Sequence, residues 1–229
     1  MSGFFKKLFF KEERSLIKLI VFDFDGTIAD TRDLIVRIIS SHLGKFNISL
    51  TKNLLLSLGD TPLESFVSIA GLKKDFVKSV SRAIIEDFIS EYRKIKPCKN
   101  LDYIKSVSVR KIIVSNNSTE FIKKSLNLLN ANFFDSVYGA DHFTDKVHAI
   151  IKLLKKGHLD PEEIIYVGDK NIDVGIARAV GCYSVIVSNK SSWSSRAAVA
   201  AEKPDYLIRD LGKINDVLDS INMSQFSPV

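Results

Sequence analysis

Short, continuously apolar runs interleaved with amphipathic stretches constrain this chain more than any other feature of its sequence. The runs are KLIVFDFDG from Lys18, VRKIIVSNN from Val109, FFDSVYGA from Phe133, EEIIYVGD from Glu162, CYSVIVSN from Cys182 and DYLIRDL from Asp205. Apolar runs of this length suit strands buried on both faces. STEFIKKSLNLLN, DKVHAIIKLLKKG and NIDVGIARAVG, which lie between them, have helical spacing, and Gly157 reads as a helix stop. The pattern predicts an α/β fold, a doubly wound, Rossmann-like parallel sheet with helices on both faces. Ligands bind such sheets beyond the carboxyl ends of the strands. The polar residues that close each run are therefore the candidate site.

Strand character disappears between Asp30 and Pro97. Leu34, Ile35, Ile38, Ile39, Leu43 and Phe46 make one helical stripe, and Ile84, Ile85, Phe88, Ile89, Tyr92 and Ile95 make another. Asp60-Thr61-Pro62 reads as a helix start, with Asp60 or Thr61 as the cap and Pro62 in the first turn. The expected organisation is an α/β core from 16–30 and 98–229 with an α-helical insert at 31–97. Residues 1–15, MSGFFKKLFFKEERS, form a basic Phe-rich segment whose apolar run is too broken for a signal peptide. It is expected to pack on its own domain or hang loose; a basic amphipathic helix on a membrane is the alternative.

Composition narrows the partners. The net charge of +6 comes from 33 basic against 27 acidic residues, which fits a Lys-rich solvated surface. No nucleic-acid module is visible, so no nucleic acid is expected as a partner. Cys98 and Cys182 have no CxxC spacing, and a reducing, cytoplasmic compartment is the default. The four histidines show no paired metal spacing, and no apolar stretch is long enough to span a membrane.

The first run delivers Asp23 and Asp25 into a glycine turn at Gly26-Thr27. Two carboxylates at i and i+2 of an extended segment point the same way, and burying them is costly without a cation, a proton or donors. The later strand ends carry Ser115-Asn116-Asn117, Gly168-Asp169 and, four residues on, Asp173, while Lys146 opens a helix. Carboxylates, a hydroxyl and a lysine converging on one sheet edge suit phosphoryl transfer, where the charge of the phosphate must be neutralised. An oxygen-only donor set favours Mg2+ over zinc or copper.

DFDGTIADT (23–31) matches the DxDGT motif of the haloacid dehalogenase superfamily, and VGDKNIDVGIARAVGC (167–182) is similar to its GDxxxD motif. VSNNS (114–118) resembles its second motif, Lys146 stands where its third places a lysine, and KPDYLIRDLGKINDVL (203–218) resembles its usual ending. The chain thus resembles the phosphoglycolate-phosphatase-like branch, whose helical insert is a cap. The resemblance implies that Asp23 is the nucleophile, forming an aspartyl-phosphate, and that Asp25 is general acid and then base. Ser115 and Lys146, with Thr27 and Asn116, would bind the phosphoryl group. Asp23, Asp25 through its backbone carbonyl, Asp169 and Asp173 would hold Mg2+. A carboxylate at Asp25 favours phosphate esters over the halide and phosphonate chemistries of other members. The third motif here reads Lys146-Val147-His148-Ala149 rather than KPxP, and LGDTP (58–62) only loosely matches the branch's substrate loop. The expected activity is Mg2+-dependent hydrolysis of a small phosphorylated metabolite by a monomer or homodimer, with phosphoglycolate as the first candidate. A nucleotidase, a pyrophosphatase or a phosphomutase of the β-phosphoglucomutase type shares these motifs. A non-catalytic scaffold would not need both carboxylates of the first motif.

Overall fold

The computed structural model describes residues 17–226. The Phe-rich segment 1–15 lies outside the described residues. Strand β1 (Leu19–Phe22) is buried at every position, as a central strand of a covered sheet must be. It leads into the turn at Gly26, and β2 (Ala29–Asp30) follows. Next come α1 (Arg32–Gly44), α2 (Lys52–Ser57), α3 (Leu63–Ile69) and α4 (Lys74–Glu91). Strand β3 (Lys96–Pro97) then pairs antiparallel with β2, Ala29 opposite Pro97 and Asp30 opposite Lys96. This short pair, absent from the sequence pattern, draws the two ends of the helical insert together.

The remainder alternates strand and helix: β4 (Arg110–Val114), α5 (Thr119–Leu128), β5 (Ser136–Tyr138), α6 (Lys146–Gly157), β6 (Ile164–Gly168) and α7 (Asn171–Val180). It continues with β7 (Tyr183–Val187), α8 (Arg196–Ala201), β8 (Tyr206–Ile208) and α9 (Ile214–Phe226). The strands form a six-stranded parallel sheet in the order β5-β4-β1-β6-β7-β8. The connection order reverses at β1, because the chain first builds outward through β4 and β5 and then crosses to β6. A crevice opens at such a reversal, so the residues following β1, β4 and β6 share one opening.

Side chains alternate across the sheet with the period of a strand. Leu19 and Val21 join one apolar cluster with Ile150 and Leu154 of α6 and Ala177 of α7. Ile20 and Phe22 join the larger cluster, which includes Phe121 of α5 and Ile221 of α9. The helical insert packs into that same cluster: Phe88 of α4 meets Phe121 with ring centroids 5.7 Å apart. Among the described residues, no helix is long and apolar enough to cross a membrane.

Three local expectations change. FFDSVYGA shrinks to a strand of three residues, because Phe134 turns inward and packs edge-on against Phe22, centroids 5.5 Å apart. At the start of α3 neither Asp60 nor Thr61 caps: Pro62 is the N-cap residue, with no side-chain cap bond. The Asp60 carboxylate has gone to Lys170 instead. Helix α6 does end at Gly157, but the left-handed residue is His158, with φ 50°.

Candidate active site

Asp23 immediately follows β1, its Oδ1 accepting from the Phe24 amide at 2.7 Å, and the Lys146 ammonium lies 3.1 Å from the same oxygen. Lys146 is the first residue of α6 and is buried. Burial, the largest single influence, would push its proton off, but the carboxylates of Asp23, Asp173 and Asp25 together outweigh it and hold the ammonium above its ordinary pKa. Lys146 also donates to the Tyr166 hydroxyl at 3.2 Å, and that hydroxyl donates to Asp173 Oδ1 at 3.0 Å. Tyr166, fully buried in β6, thus ties the lysine to the acidic residues. A buried tyrosine must place its hydroxyl on a partner, and that was the one signal in EIIYVGD that could have marked it.

Asp169 and Asp173 are set by the turn after β6. Asp173 Oδ2 accepts from the amides of Asp169 at 2.9 Å and Lys170 at 2.8 Å, capping the start of α7. Asp169 accepts from the Trp193 amide and, at 3.3 Å, from the Thr27 hydroxyl. Asp23, Asp169 and Asp173 each offer a carboxylate oxygen to a common region, all within 4.8 Å of one another and all on buried residues. Burial, and then the charge of Asp173, raises the Asp169 carboxyl group well above its ordinary pKa. Asp173 is raised by burial and by Asp23. Such a trio favours a proton or a cation, and its all-oxygen donors suit a hard divalent ion.

Two glycines make this spacing possible. A β-carbon on Gly26, where φ is 76°, would lie 2.4 Å from Asp169 Oδ2 and 2.5 Å from Trp193 Cδ1. One on Gly168 would lie 2.3 Å from the Asp173 carboxyl.

Asp25 occupies different surroundings. Its Oδ1 accepts from the Thr31 hydroxyl at 2.8 Å, and the Asn117 amide donates to the carboxylate at 3.3 Å. Its carboxyl is pushed up to about 6, by burial first and the Asp23 charge second, with those hydrogen bonds pulling it back. Its side chain is not one of the three clustered carboxylates. Asp25, Ser115 and Asn116 line a cavity with Asp23. Ser115 does not cap α5; Ser118 does, accepting from the Phe121 amide.

Of the candidate residues, Asp23, Lys146, Asp169 and Asp173 come together, and Asp25 and Ser115 join them across the cavity. Thr27 is fully buried with its hydroxyl turned to Asp169, and it is not part of the cavity wall. The Asn116 side-chain amide donates to the Gly59 carbonyl at 3.0 Å, across to the insert. The sequence reading missed Thr31, Tyr166, Lys170 and Trp193, and it named Asn117 without a role.

Buried carboxylates at neighbouring strand ends of a doubly wound sheet define an α/β enzyme whose chemistry runs at the switch point. The chain belongs to the haloacid dehalogenase-like hydrolases, the family whose model matches residues 20–187. It is 27% identical over 220 residues to the pyrophosphatase PpaX of Bacillus velezensis, covering 88% of this chain and 95% of that protein. It is 25% identical over 223 residues to the phosphoglycolate phosphatase of Vibrio vulnificus, covering 88% and 96%. A solved structure of a predicted phosphoglycolate phosphatase from Haemophilus somnus superposes with a TM-score of 0.75 at 20% identity, covering 88% and 97%. That last likeness bears on the fold alone.

Proposed function

We propose that this hydrolase of phosphate esters cleaves a small phosphorylated metabolite through an aspartyl-phosphate on Asp23, with Mg2+ as cofactor. The observation that carries the reading is the unequal setting of the two carboxylates of the first motif. Asp23 touches Lys146 and belongs to the acidic trio, whereas Asp25 is held by neutral donors and burial raises its carboxyl to about 6. One is equipped to attack, the other to carry a proton.

In the first half-reaction an Asp23 oxygen bonds to phosphorus as the ester P–O bond breaks, and Asp25 gives its proton to the departing alkoxide. In the second, Asp25 takes a proton from water, the water oxygen bonds to phosphorus, and the bond to Asp23 breaks. Lys146, on Asp23, stabilises charge on the phosphoryl oxygens, and Ser115 in the cavity wall donates to them. Thr27 acts one step back, by orienting Asp169. Asp23, Asp169 and Asp173, with the Asp25 carbonyl, would hold Mg2+, which when bound supplies charge neutralisation for the phosphoryl group. Residues 31–97 act as the cap that closes the cavity against water. Free, buried Cys98 and Cys182 fit a reducing, cytoplasmic setting.

Hydrolysis of p-nitrophenyl phosphate tests the reading directly. Turnover is expected with Mg2+, is expected to vanish in EDTA, and should return on adding excess Mg2+. Full activity in EDTA would overturn the metal assignment. Gly168→Ala is expected to weaken Mg2+ binding by about 10–100-fold, because the new methyl displaces the Asp173 carboxyl. Calorimetric titration of the folded variant reads this; unchanged affinity would remove Asp173 from the metal site.

A further inference from the structure

The phosphoryl side of the cavity is rich in charge, and the leaving-group side is not. Ile35, Ile39, Leu58, Leu63, Phe66 and Trp193 line it. Among the described residues, the charged side chains in the cavity wall are Asp23, Asp25 and Lys170. Lys170 is therefore the cation that a second anionic group on the substrate would need.

Its ammonium is already committed. A lysine has three donors. Those of Lys170 go to the Leu56 carbonyl at 3.1 Å, the Leu58 carbonyl at 2.8 Å and the Asp60 carboxylate. Asp60 cancels the charge, and the pair is largely shielded, with side-chain exposures of 7% for Lys170 and 22% for Asp60. Breaking a shielded pair leaves an uncompensated charge, so an incoming anion cannot take Lys170 cheaply. The loop that carries Asp60 is held from the other side by Asn116 on the Gly59 carbonyl. Lys146 offers no substitute: it sits on Asp23 and Tyr166 at the phosphoryl end, where its charge serves the transferred phosphate.

The geometry points to a substrate whose phosphate esterifies a neutral, partly apolar alcohol, with the Lys170–Asp60 pair excluding leaving groups that bear a carboxylate or a second phosphate. This inference rests on the phosphatase reading above. Pyrophosphate and phosphoglycolate, the substrates in the names of the relatives, both carry a second anionic group. Here such a group would enter a largely apolar wall whose one cation, Lys170, is already neutralised, and an uncompensated charge there opposes binding.

The test uses the full chain with Mg2+ and compares 2-hydroxyethyl phosphate with phosphoglycolate, a neutral and a charged ester of nearly equal size. Phenyl phosphate and pyrophosphate are run beside them. The kcat/KM values for the two neutral esters are expected to exceed those for both charged substrates by at least about tenfold. Asp60→Asn leaves Lys170 charged and unneutralised, and should narrow the gap for phosphoglycolate several-fold. If phosphoglycolate or pyrophosphate matches the neutral esters in the unaltered protein, the inference is overturned and the phosphatase reading stands. Turnover of none of the four overturns the phosphatase reading itself. An unchanged ratio in folded Asp60→Asn removes the exclusion role from the Lys170–Asp60 pair. The wild-type comparison stands whether or not the variant folds.

Discussion

Asp23→Asn is expected to lower kcat for p-nitrophenyl phosphate by about 10⁵-fold or more, the scale on which removal of a covalent nucleophile acts. The amide is nearly isosteric with the carboxylate, so the cavity keeps its shape. What disappears is an anionic oxygen that can bond to phosphorus, together with the negative partner of Lys146 at 3.1 Å. The acidic trio also loses one of its three carboxylates. Steady-state kinetics at saturating Mg2+ measure the loss, and circular dichroism checks the fold. Activity within about tenfold of the unaltered enzyme would show that phosphorus is attacked by another group, such as water.

Asp25→Asn is expected to behave differently. Loss of a general acid and base costs about 10²–10⁴-fold in turnover. Mg2+ affinity should change little, because the Asp25 carboxylate lies outside the trio and is held by Thr31 and Asn117. Asparagine can still accept from Thr31, so the turn should hold. Kinetics and calorimetric titration on one preparation separate the two effects. Lost metal binding in a folded variant would make Asp25 a side-chain ligand and reassign the proton transfer.

Much of this arrangement is legible in the sequence because its causes are local. A strand buried on both faces needs an unbroken apolar run, and KLIVF, RKIIV and EIIYV each supply one. The turn after each strand puts Asp23, Ser115 and Asp169 at the same edge, whatever the rest of the chain does. Asp173 is placed by its four-residue step from Asp169 and by the need of the first turn of α7 for an acceptor.

Partner choice is less legible. Asp60 has the spacing of a helix cap, but Lys170, 110 residues away, takes its carboxylate. A buried ammonium with two carbonyls and no counter-charge would be far costlier than one uncapped turn at α3. Thr27 looks like a phosphate ligand beside Gly26, yet its hydroxyl meets Asp169 across the sheet. FFDSVYGA has strand composition throughout, but Phe134 contributes more by packing on Phe22 than by extending the edge.

The sequence by itself determined the sheet, its chemistry-bearing strand ends and the pair of carboxylates to which we assign attack and proton transfer. Strand burial and turn geometry act over a few residues, so they can be read from a few residues. Only the tertiary structure decided that Tyr166 links Lys146 to Asp173, and that Lys170 is neutralised before any substrate arrives. Those outcomes depend on which polar groups share one water-poor space, and there each charge settles on the partner that leaves the fewest unpaired.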